Sequence, residues 1–147
     1  MAASLKLEAT LKPNIIMNIV GTKNAINLAR QMRMLIQFVH LSTAFCNVEP
    51  EISEEKVYDF DHNPEDLINL TEWMSEKTMI AVQKGILGIH PNTYTYTKRL
   101  AEILVRNEYN NGTLPVCIVR PSIVTPSYIE PVPGWVDSLN GGFEFEI

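Results

Sequence analysis

Residues 35–42, LIQFVHLS, form a nearly continuous apolar run interrupted by Gln37 and His40. A strand covered on both faces reads this way, whereas a strand with one wet face alternates. A second such run, LPVCIVR, occupies residues 114–120, and Cys117 within it reads as a small buried hydrophobe. Between the two runs there is no hairpin signal. Instead, PEDLINLTEWMSEKTMIAVQKGIL (64–87) offers one or two helices, and a further helix runs from about Asn92 to Tyr109, ended by Asn110, Asn111 and Gly112. Upstream, residues 14–33 read as a helix with Ile15, Ile19, Ile26 and Ala29 on one stripe. Gly21 and Thr22 are weak helix formers in its middle, which points to a need for small side chains there. Helix, strand, helices and strand in that order imply parallel strands joined by crossovers, an open α/β sheet. Two strands do not complete such a sheet, so the chain reads as part of a domain.

Bulk properties narrow the function classes. A chain of 147 residues holds one core, not two ordinary domains. A net charge of −5 argues against a nucleic-acid surface. Two cysteines are too few for a disulfide framework or a structural zinc site, and no His, Cys and carboxylate set has ligand spacing. No apolar run approaches the ~20 residues of a membrane span, and MAASLKLEATLKP lacks a signal-peptide core. Residues 47–63 are acidic and loop-like, and PSIVTPSYIEPVPGW (121–135) is an irregular proline-rich loop.

In open α/β sheets, chemistry gathers beyond the carboxyl ends of the strands. The first strand ends at Ser42-Thr43, and the second runs into Arg120-Pro121-Ser122-Ile123-Val124. On the helix between them, PNTYTYTKRLAE (91–102) carries two tyrosines before one lysine. At about 100° per residue, Tyr94 and Lys98 lie roughly 40° apart, whereas Tyr96 is about 200° from Lys98. Only Tyr94 shares a face with the lysine. That face continues through Ala101 and Val105 and should be buried, with Arg99, Glu102 and Arg106 on the other side. A phenol beside an ammonium has its pKa lowered and can give a proton to a carbonyl oxygen, with Ser42 or Thr43 holding that oxygen. Each feature alone has a plainer reading. Tyr-x-x-x-Lys recurs in helices where the lysine snorkels, Ser-Thr after a strand is usually a turn, and Asn18 reads as an edge polar residue. His40 reads as a packed neutral histidine, and His62 and His90 as loop residues. The order of the pieces is more specific than any one of them.

That order resembles the extended short-chain dehydrogenase/reductase superfamily, and within it the reductase domain of the alcohol-forming fatty acyl-CoA reductases. The words that carry the resemblance are NIVGTKNAINLARQM, FVHLSTAFCN, EEKVYDF, LTEWM, HPNTYTYTK, VRPSIV, EPVPGWVD and VDSLNG. The resemblance implies an incomplete Rossmann-like, doubly wound parallel sheet with helices on both faces. It implies Tyr94 as catalytic acid, Lys98 as the residue that tunes it and binds the nicotinamide ribose, and Thr43 as the carbonyl-orienting hydroxyl with Ser42 as alternate. Asn18 would help hold a proton-relay water. Pro121, Ser122, Ile123 and Val124 would lie against the nicotinamide, and Ala2-Ala3 would end a strand beside the cofactor. The implied reaction reduces long-chain acyl-CoA with NADPH, through an aldehyde, to the fatty alcohol. Membrane association, at the endoplasmic reticulum or peroxisome, would come through other parts of the chain.

No Gly-x-Gly-x-x-Gly or Walker loop occurs in the 147 residues. The chain therefore reads as a partial reductase domain, 1–147, lacking the N-terminal Gly-rich half, with 143–147 as a non-family tail and no activity by itself. Two other readings compete: another extended reductase or epimerase, against which EPVPGWVD weighs, and a non-catalytic remnant acting as an interaction module.

Overall fold

The computed structural model describes residue 7 and residues 9–136. Ala2, Ala3 and residues 143–147 lie outside the described residues. The chain enters α1 (Leu11–Asn14), passes through a π-helical segment (Ile15–Val20) and continues as α2 (Gly21–Ala29). Strand β1 (Phe38–Leu41) follows, then α3 (Pro64–Trp73), α4 (Glu76–Leu87), α5 (Thr93–Asn110) and β2 (Val116–Val119). The strands pair in parallel, Phe38 opposite Val116 through Leu41 opposite Val119. This is the open, parallel α/β arrangement expected from the order of elements, and it agrees with the incomplete Rossmann-like sheet that the resemblance implies.

Local sequence explains the helix starts. Asn63 and Ser75 cap α3 and α4 with side-chain oxygens, accepting from Glu65 N–H at 3.1 Å and Thr78 N–H at 3.2 Å. Asn92 does the same for α5, accepting from Thr95 N–H at 2.9 Å. The long upstream helix is not uniformly α. Its π turn sits just before Gly21-Thr22, where Thr22 Oγ1 donates to the Asn18 carbonyl at 2.7 Å. The weak helix formers thus mark a change of helical winding.

The core lies between the first long helix and α5. Leu11, Ile15, Ile19 and Ile26 meet Tyr96, Leu100, Ile103 and Leu104, with Leu67, Met79 and Leu87 from α3 and α4 closing the cluster. Two buried amide–hydroxyl bonds set the register between these helices. Asn14 Nδ2 donates to Thr93 Oγ1 at 2.6 Å, and Asn18 Nδ2 to Thr97 Oγ1 at 3.0 Å. The sheet turns Phe38, His40, Val116 and Ile118 toward this core. Its other face differs from the reading of LIQFVHLS. Val39 and Leu41 are 57% and 62% exposed, and Cys117 is exposed instead of buried. The described helices stack on one side of β1 and β2, so every second strand residue is left uncovered.

Helix α5 departs further from the expected amphipathic pattern, since every residue from Thr95 to Val105 is buried, including Arg99 and Glu102. The sheet covers one side, the upstream helix another, and the acidic loop after β1 folds over the third. Arginines fasten that loop. Arg99 donates to both Glu49 oxygens at 2.5 and 2.6 Å and to the Asp59 carbonyl at 2.9 Å, with its guanidinium over the Phe60 ring at 4.1 Å. Buried charge is tolerated because it is paired and hydrogen-bonded.

Candidate active site

The first turns of α5 bring Tyr94 and Lys98 to the carboxyl end of β1. Lys98 is buried and its Nζ donates to the Leu41 carbonyl at 2.6 Å. Tyr94, one turn earlier and half-buried, brings its phenol beside the Thr43 side chain. Tyrosine, lysine and Thr43 therefore converge on residues 41–43. Thr43 Oγ1 also accepts from Phe45 N–H at 3.3 Å, which fixes the turn leaving the strand. Ser42 faces elsewhere: its Oγ donates to Cys46 Sγ at 3.8 Å. Of the two adjacent hydroxyls, Thr43 is the one at the phenol.

Burial pushes the Tyr94 phenol above its ordinary value, with the Thr43 hydrogen bond pulling the other way. The lowering expected from an adjacent ammonium does not govern here, because Lys98 points its charge at the Leu41 carbonyl. Burial also pulls the Lys98 ammonium below its usual range, opposed by Cys46 and Glu102.

The other predicted positions fall around this centre. Asn18 lies in the π-helical segment and reaches α5 at Thr97, beside Lys98. Pro121 joins the site through its carbonyl, which accepts from Ala44 N–H at 3.0 Å. Beyond it Ser122, Ile123 and Val124 are exposed. Tyr96 is elsewhere. It is buried in a cluster with Phe60, His62 and His90, its hydroxyl 2.6 Å from His62 Nδ1.

Sequence reading missed a polar layer directly behind these residues. Glu102, placed on the outer side of α5, is fully buried one turn beyond Lys98. Arg120 grips it with Nε to Oε1 at 2.8 Å and a terminal nitrogen to Oε2 at 2.7 Å, and Cys46 Sγ donates to Oε1 at 3.3 Å. Burial, and then the charge of Glu102, pushes the Cys46 thiol up to about 12. The signal was present as spacing, since Tyr94, Lys98 and Glu102 succeed one another at i, i+4 and i+8. A groove lined by Glu54, Lys56, Tyr109, Cys117 and Val119 runs along the free edge of β2. It follows from the uncovered strand and does not include Tyr94, Lys98 or Thr43.

His40 is buried as read, with Nε2 unpartnered among the described residues. Burial first, and Lys98 second, hold its imidazole down to about 4 from 6.5. The unfolded chain binds this proton more readily, so the stabilising contribution is complete above pH 6.5 and is lost as pH falls through 4. The shift corresponds to about 3 kcal/mol. Denaturant melts from pH 7 to pH 4 are expected to show this loss, and His40→Gln to flatten it. An unchanged slope in the variant would assign the acid sensitivity to other groups.

The nicotinamide fit can be judged on the donor set. An ammonium has three donors, of which Leu41 takes one. The phenol–hydroxyl pair and the apolar Ile123 and Val124 lie beyond the strand ends where such a ring binds in open α/β sheets. These residues fit the group.

Comparison with known proteins accords with this arrangement. Residues 1–146 match the family model described as NAD_binding_4, male sterility protein. The chain is 41% identical over 140 residues to fatty acyl-CoA reductase 2 of Mus musculus, and 40% identical over 140 residues to fatty acyl-CoA reductase 1 of Xenopus laevis and of Homo sapiens. Each match covers 95% of this chain and 27% of the relative, so the chain spans about a quarter of the length of these proteins. With a family match over nearly all its residues, this chain belongs to the male sterility NAD-binding family.

Proposed function

We propose that this chain supplies the proton-donating half of an NADPH-dependent reductase that converts long-chain acyl-CoA to fatty alcohol through an aldehyde. The observation that carries this reading is the convergence of Tyr94, Thr43 and Lys98 at the end of β1, with the Lys98 ammonium anchored on the Leu41 carbonyl at 2.6 Å. A bound nicotinamide cofactor would supply hydride. Two hydrides and two protons reduce the thioester to alcohol and free thiol, the carbon–sulfur bond breaking after the first addition. Thr43 would orient the carbonyl oxygen. Tyr94, a phenol and so protonated at neutral pH, would give its proton to that oxygen as negative charge develops. The Lys98 ammonium would stabilise the phenolate left behind and hold the ribose with its remaining donors. Asn18, bonded to Thr97, would help hold the water that returns the proton. Pro121 to Val124 would cover the nicotinamide, and Ala2-Ala3 would contribute beside it.

The test is alcohol formation from a long-chain acyl-CoA by a full-length protein carrying this segment, with NADPH and NADH compared. Alcohol with NADPH supports the reading, and none with either cofactor overturns it. The 147 residues made alone are expected to give neither turnover nor an NADPH-dependent thermal shift. Pyrophosphate binding in this fold needs backbone N–H groups at a helix N-terminus reached through a glycine turn, and the sequence contains no such turn. A clear shift with NADPH would show that this account of cofactor binding is wrong.

A further inference from the structure

We propose that Glu102, clamped by Arg120, is a positioning residue that serves as the counter-charge of Lys98 and holds the Ser42–Thr43 turn through Cys46. The inference rests on the reductase reading of the site.

Three observations converge on it. Glu102 follows Lys98 by one turn of α5 and is fully buried, so its charge acts in a medium that screens poorly. Its two oxygens are occupied by the fork of Arg120, which fixes where that charge sits. Arg120 is itself immobilised, donating to the Glu54 carbonyl at 3.1 Å and the Lys56 carbonyl at 2.7 Å. The carboxylate is thereby tied to α5, to the end of β2 and to the loop over α5. From Glu102 the connection passes to the Cys46 thiol, and from Cys46 to the Ser42 hydroxyl. Ser42 is thus turned inward, and the next residue, Thr43, is left to meet Tyr94.

The charged and titratable groups facing Lys98 and Glu102 are few. Tyr94 lies on α5 itself, His40 on β1, Cys46 on the turn after β1, and Arg120 at the end of β2. His40 and Cys46 are neutral across the working range, since burial holds one down to about 4 and the other up to about 12. Glu102 is therefore the negative charge that offsets the desolvation of the Lys98 ammonium. Burial pushes its own carboxyl up, but the hydrogen bonds and charge of Arg120 outweigh that and keep it ionised.

The signs of the substitutions follow. Glu102→Gln removes a negative charge beside an ammonium and one turn further from a phenol, so both lose protons more easily. The alkaline limb of kcat/KM then moves to lower pH, by about one pH unit for a charge at this range. Arg120→Gln removes a positive charge and moves the limb the other way. A purely structural pair would lower activity without opposite displacements.

The experiment is the pH profile of acyl-CoA reduction by the full-length protein, for wild type, Glu102→Gln, Glu102→Asp and Arg120→Gln, with Tyr94→Phe as control. Opposite displacements for the two Gln variants, and restoration by Glu102→Asp, support the proposal. If Glu102→Gln does not fold, the direction for Arg120→Gln decides. Limbs that stay in place while Tyr94→Phe abolishes turnover overturn the counter-charge role and leave the reductase reading standing. Full turnover by Tyr94→Phe overturns that reading, and the proposal with it.

Discussion

Tyr94→Phe is expected to lower acyl-CoA turnover roughly 10²–10⁴-fold in a full-length protein, the usual worth of a positioned general acid, while Tyr96→Phe keeps most of the rate. The two tyrosines are two residues apart on one helix and differ in nearly everything else. Tyr94 is half-buried and lies beside Thr43 at the strand end. Tyr96 is fully buried against Phe60, His62 and His90, with its hydroxyl on His62. Removing the Tyr96 hydroxyl costs one buried hydrogen bond, about 1 kcal/mol of stability, and touches no group at the end of β1. Removing the Tyr94 hydroxyl leaves the packing of α5 intact and takes away the proton. The check is turnover with NADPH beside a melting curve for each variant. Equal loss of rate from both substitutions, with both proteins folded, would sink the assignment of Tyr94.

This contrast was legible in PNTYTYTKRLAE because helix geometry is local. Once Asn92 caps the helix, 100° per residue decides which tyrosine shares the face of Lys98. The parallel pairing of β1 and β2 was legible for a similar reason, two apolar runs separated by helices with no turn signal. The strand edges were not, and the pairing is shorter than the runs 35–42 and 114–120. What escaped the sequence is what depends on distant segments. Arg99 and Glu102 look solvent-facing beside Lys98 until the loop from Glu49 to Phe60 returns over them and Arg120 arrives from the end of β2. Neither partner is within a helical turn of the residue it neutralises. The π-helical turn had only the indirect signal of Gly21 and Thr22, and an amide–hydroxyl register between Asn18 and Thr97 has no periodicity to reveal it.

Lys98→Met is expected to reduce both the rate and the affinity for NADPH, because one ammonium is assigned two tasks. Methionine keeps most of the apolar stem, so packing changes little and the charge is what disappears. Two consequences follow inside the protein. The Leu41 carbonyl loses its donor at 2.6 Å, and Glu102 keeps Arg120 but loses the neighbouring ammonium. At the site, a phenolate formed on Tyr94 would have no cation one turn away, so proton transfer becomes less favourable. The rate is therefore expected to fall even where NADPH is saturating. Fluorescence titration with NADPH separates the tasks. An unchanged affinity with a depressed rate would remove the ribose contact and leave only the electrostatic role. A depressed affinity with an unchanged rate at saturating NADPH would do the reverse, and Lys98→Arg, which restores charge but not the compact ammonium, should then recover affinity only in part.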